Sequence, residues 1–259
     1  MAPSVNALKK KLKLDAGHYS EPQRVRLHRA ISWLGRAQGE TDDADAQFIL
    51  LWIAFNAAYA KEIGFGESER DKLASFNQAL VAVDSEKALH NLLFRKFSGP
   101  IRTLLDNQYV FEPFWKALRD YDSSNRWEES FANSRKATLR AIMDGDTAKL
   151  LSIVFDRLYV LRNQLVHGGA TWNSTVNRAQ LKDGTAIMLA ITPIVLGLML
   201  EHPEMDFGET CTRCFDSAKS LATRDVGPTA SGYFAAMASG SNCGLFARCK
   251  QVQVSEKKS

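Results

Sequence analysis

The stretch DTAKLLSIVFDRLYVLRNQLVHGG, residues 146–169, decides the fold. Asp146 and Thr147 open it as a helix start, and Leu150, Leu151, Val154, Leu158 and Leu161 recur at helical spacing. Gly168 and Gly169 stop it, one of them in the left-handed cap conformation that glycine adopts without steric cost. Leu158, Leu161 and Leu165 point into a core. The end of the same helix carries a polar trio, Arg162, Asn163 and His167. Asn163 and His167 are four apart and share a face. Arg162 and His167 are five apart, about 140° around the axis, so a long arginine side chain can swing into the same cleft.

Working outward, the segment FILLWIAFNAAYA at 48–60 is apolar nearly all round, the mark of a helix central to the core. Thr41, Asp42 and Asp43 start it, with acids at the positive end of the helix dipole, and Gly64 and Gly66 end it. Before it, Ser20-Glu21-Pro22-Gln23 offers a capping box. Leu27, Ile31 and Leu34 then follow at helical spacing, interleaved with Arg24, Arg26, His28, Arg29 and Arg36. Shorter helices are predicted near 68–83, 86–98, 101–107, 112–121 and 127–143, punctuated by Gly99-Pro100 and Asp144-Gly145-Asp146. After a loop rich in Thr and Asn, an apolar helix spans about 178–201, and Pro193 should kink it. No strand is convincing. The prediction is an all-α helical bundle over 20–207. A loose, Lys-rich arm at 1–19 precedes it. An irregular tail at 208–259, rich in Ala, Ser, Thr, Gly and Cys, follows it.

The 259 residues are 45% hydrophobic and 24% charged, enough for a substantial core, and the net charge of +4 permits phosphate contact without requiring it. The N-terminal lysines lack a following apolar segment, so no secretory signal is expected. The apolar run at 186–200 is interrupted by Thr192, Pro193 and Gly197 and falls short of the ~18–20 residues of a membrane span. A cytoplasmic protein without a membrane partner is expected. Cys211 and Cys214 have zinc-ligand spacing, but Cys243 and Cys249 do not, so neither a metal site nor a cofactor is assigned. Gly64-Phe65-Gly66 lacks the remainder of a phosphate loop.

The trio at the end of the 146–167 helix carries the chemistry. Arginine offers a rigid fork for phosphate, histidine exchanges a proton near neutral pH, and asparagine can orient a water, hydroxyl or phosphate oxygen. Together they could cleave RNA without a metal, the ribose 2′-hydroxyl attacking the adjacent phosphate while Arg162 stabilises the added negative charge. The same spacing also fits plain surface cations near a helix C-terminus, so spacing alone leaves both readings open.

Arg162-Asn163-x-x-x-His167 resembles the Arg-polar-x-x-x-His signature of the HEPN superfamily. Two further segments resemble its Apea-like branch. One is His28-Arg29-Ala30-Ile31-Ser32-Trp33-Leu34 followed by residues 48–57, and the other is residues 166–172. The likeness covers roughly residues 20–205. It implies an all-α bundle of HEPN type, a homodimer and metal-independent endoribonuclease activity. Arg162 and His167 match the catalytic positions and Asn163 the polar one. A toxin or phage-defence setting, with an antitoxin or other regulatory partner, follows from the resemblance alone. The rival within the family is a non-catalytic module that binds nucleotide, RNA or protein. The motif supplies one histidine, so a two-fold axis beside it would bring the second. Asn56 is expected to be a buried polar group bonding neighbouring backbone, with a lesser reading in which Asn56 or Trp33 supports the motif helix from behind.

Overall fold

Ser20 begins the first long helix as the capping box requires. Its hydroxyl accepts from the Gln23 amide at 3.4 Å, and Gln23 Oε1 accepts from the Ser20 amide at 2.8 Å. In a computed structural model that describes residues 2–59, 69–175 and 177–207, every regular element is helical. The long capped helix is α2 (Glu21–Gln38), and α1 (Val5–Leu14) precedes it. There follow α3 (Ala44–Tyr59), α4 (Glu69–Val83), α5 (Ala88–Asn91), α6 (Ser98–Leu105), α7 (Glu112–Arg119), α8 (Arg126–Met143), α9 (Thr147–Val166) and α10 (Arg178–Glu201).

The expected loose arm is instead a folded helix. Ser4 caps α1 by accepting from the Ala7 amide, Leu8 is buried, and the helix packs on α2 and α10. Small residues admit it. A Cβ on Gly35 would sit 3.3 Å from Val5, and one on Gly197 would sit 3.2 Å from Pro3. One buried leucine among four lysines carries little periodic signal, which is why the sequence reads as an arm.

The core gathers around α3, packed between α2, α9 and α10. Phe55 of α3 stacks on Phe155 of α9 with centroids 4.1 Å apart, and Trp52, Tyr59 and Phe76 close around the pair. The region expected as one helix at 86–98 is divided. α5 passes into a π-helical turn at Leu92–Lys96 before α6 begins. Gly99 and Pro100 lie in the first turn of α6, where a missing N–H costs nothing, and do not interrupt the chain.

α10 is 24 residues long, so by length and composition it could cross a membrane, contrary to the expectation that this run is too short. Yet 72% of its most apolar window is buried within the protein. Its hydroxyls are satisfied internally, Thr185 donating to Leu181 O and Thr192 to Met188 O, both at 2.8 Å. Gly64, Gly66, all four cysteines and the tail from 208 onward lie outside the described residues.

Candidate functional site

α9 places Leu158 and Leu161 in the core, so the polar residues of its last turns are left at the surface. Arg162 is half-buried. Its guanidinium lies 5.0 Å from the Tyr159 ring centroid and 5.4 Å from that of Trp52, and its Nη1 donates to Asn163 Oδ1 at 2.8 Å. Two aromatic faces and a neighbouring amide thus hold the fork without neutralising it. Among the described residues Arg162 has no carboxylate partner.

His167 is the C-cap of α9 and is exposed, its backbone N–H donating to Asn163 O at 3.0 Å. Its imidazole makes no hydrogen bond among the described residues and stands open to solvent. Gly168 takes the left-handed conformation at φ +70°, the cap read from the sequence. The trio is therefore one local unit. Arg162 and Asn163 are joined through their side chains, and His167 is joined to them through the backbone of Asn163.

The loop after the motif is fastened to the start of α3. Asp43 Oδ1 caps that helix by accepting from the amides of Asp45 and Ala46, and its Oδ2 accepts from the Trp172 indole at 2.8 Å. These bonds, the Ala46 amide first, hold the Asp43 carboxyl below the usual carboxylate range. Asp45 is buried and receives both the Asn173 amide at 3.2 Å and the Arg178 guanidinium at 2.9 Å. On the other side, Gln164 donates to Tyr109 O at 2.7 Å and accepts from Asn177 at 3.2 Å. Loop and motif are thus braced from three elements, while the Trp172 ring itself is 69% exposed.

Sequence reasoning missed Trp52, Tyr159, Asp43, Asp45 and Gln164 as supports. Tyr159 was within reach, since it sits three residues before Arg162 on one helix. Trp52 could not be found that way, because its contact depends on how α3 packs on α9. Asn56 is a correction: it is half-buried within α3, and its side chain makes no hydrogen bond among the described residues. Trp33 is 40% exposed, and Trp52 is the tryptophan that backs Arg162. No family model, curated protein or solved structure matches this chain. What fold and site define together is an all-α protein whose core helix ends in an arginine, an asparagine and an open histidine.

Proposed function

We propose that the chain is a metal-independent endoribonuclease of HEPN type, acting as a homodimer in a toxin or phage-defence setting. The observation that carries this reading is Arg162: a half-buried guanidinium oriented by Trp52, Tyr159 and Asn163, with no carboxylate among the described residues to neutralise it, on the helix that ends in an exposed His167. A cation held in that way is suited to an oxyanion supplied from outside. In the proposed reaction the ribose 2′-oxygen loses its proton to a base and attacks phosphorus. The P–O5′ bond breaks and an acid protonates the leaving oxygen. The products are a 2′,3′-cyclic phosphate and a 5′-hydroxyl. His167 is one of the two proton-transfer groups, and His167 of a second copy is the other. Asn163 holds the fork, and Arg162 stabilises the charge on the pentacoordinate phosphorus. The exposed apolar residues Val166 and Trp172 flank His167 in the chain and give a second copy something to bury.

The test is cleavage of RNA by the purified chain, with product ends identified and a parallel substrate carrying 2′-deoxyribose at the scissile position. Cyclic phosphate products and a resistant deoxy substrate are expected. Equal cleavage of the deoxy substrate would overturn the mechanism. Tight RNA binding without cleavage would make the chain a binding module instead.

A further inference from the structure

A second arginine of α9 presents a different problem from Arg162. Arg157 lies five residues earlier, about 140° around the helix, and is only 3% exposed. Its guanidinium packs on Phe111, 4.3 Å from the ring centroid, and Nη2 donates to Ser134 Oγ at 2.8 Å. Nε is buried without an acceptor, and Arg157 forms no ion pair among the described residues. The adjacent Asp156 is engaged by Arg70 at 3.2 Å, and Arg70 also bonds Glu112 at 3.2 Å. Burial lowers Arg157 to about 10, with Asp156 acting in the opposite direction. A guanidinium this deep is costly to leave without an anion.

Arg157 lines an open cleft of about 320 Å³ between the start of α4, α7, α8 and α9. Ser130, Asn133 and Ser134, on one face of α8, line it too. Among the described residues the side chains of Ser130 and Asn133 make no hydrogen bond, and Ser134 uses only its acceptor side toward Arg157. Arg70 stands in the wall shared between the Glu112 and Asp156 carboxylates, so Arg157 is the wall's arginine without an ion pair among the described residues. None of the motif residues lines this cleft.

We propose that the cleft is a binding site for a phosphate group, with Arg157 supplying the charge and Ser130, Asn133 and Ser134 supplying neutral donors. Three neutral donors on α8 beside an unpaired guanidinium from α9 suit a tetrahedral group with several oxygens better than a planar carboxylate, which satisfies a single fork. The site does not depend on the ribonuclease reading.

The experiment is thermal unfolding and calorimetric titration of the full chain with inorganic phosphate, against chloride and acetate at matched ionic strength. Phosphate should raise the melting temperature above the chloride control, and acetate should do less. Arg157→Gln and Asn133→Asp should each weaken phosphate binding by ~10-fold or more, while Arg36→Gln, at an exposed arginine of α2 paired with Glu40, should leave it unchanged. Asn133 is exposed, so its variant folds and decides the matter even if Arg157→Gln does not. A wild-type chain that responds equally to phosphate and chloride would overturn the proposal. So would acetate binding as tightly as phosphate, or an Asn133→Asp variant that binds like wild type.

Discussion

Arg162→Lys separates charge from geometry. Lysine keeps the positive charge but loses the planar fork that Asn163 Oδ1 and the two rings orient. Cleavage by this variant should fall by ~100-fold or more, as for other removed stabilisers of a transition-state anion. His167→Ala should abolish cleavage with a stability change within ~0.5 kcal/mol, because the imidazole is exposed and makes no hydrogen bond among the described residues. Circular dichroism and urea titration check the fold, and a quenched RNA substrate reads the rate. Asp43 makes a different claim. Its folded pKa is depressed below the 3.8 of the free side chain, so the unfolded state binds the extra proton. The stabilisation it gives is complete above that value and is lost as pH falls through the lower folded one. The Trp172 contribution to fluorescence, taken as wild type minus Trp172→Phe, should therefore stay constant at neutral pH and change below pH 3.8. Asp43→Asn should shift it already at neutral pH. A Trp172 signal that stays flat to pH 2 would show that the indole is held by something else.

Among the elements, the tightest constraint is where α10 crosses α9 and α3. A Cβ on Gly184 would meet Leu158 Cδ2 at 2.9 Å, Phe48 Cε2 at 3.3 Å and Leu161 Cδ2 at 3.4 Å. All three neighbours are themselves buried, so they have little room to give. Gly184→Ala should cost about 1–3 kcal/mol in urea unfolding, despite alanine being the better helix former. The crossing lies just below the motif, since Leu158 and Leu161 share the helix with Arg162. A loss of RNA affinity larger than the loss of stability would mean that α9 shifts as well as loosens. Equal stability of variant and wild type would show that the three neighbours yield to a methyl group at this crossing.

For the molecule as a whole, the proposed reaction predicts both metal independence and assembly. Cleavage should persist in EDTA, because arginine carries the developing charge and histidine the proton. Loss of activity on chelation alone would direct attention to Cys211 and Cys214. Sedimentation at micromolar concentration should give a dimer, and Val166→Glu should weaken it by placing a charge on an exposed apolar position beside His167. A monomer with unchanged cleavage would mean that one histidine suffices.

Most of the secondary structure was legible in the chain. The Ser20 capping box, the apolar run in α3, the leucine face of α9 and the glycine stop after His167 are local signals, and local signals survive without tertiary context. The placement of Arg162, Asn163 and His167 on the last turns of one helix followed from helical spacing alone. The packing of α1 did not follow, since it depends on two glycines distant in sequence that make room for it. Nor did the aromatic support from Trp52, the fastening of the loop by Asp43 and Asp45, or the solitary burial of Arg157. Periodicity determines which residues a helix turns to one side. Which residues from other helices meet them there is decided by packing, and in this protein that packing leaves Arg162 oriented and open while setting Arg157 against Phe111 at the wall of a separate cleft.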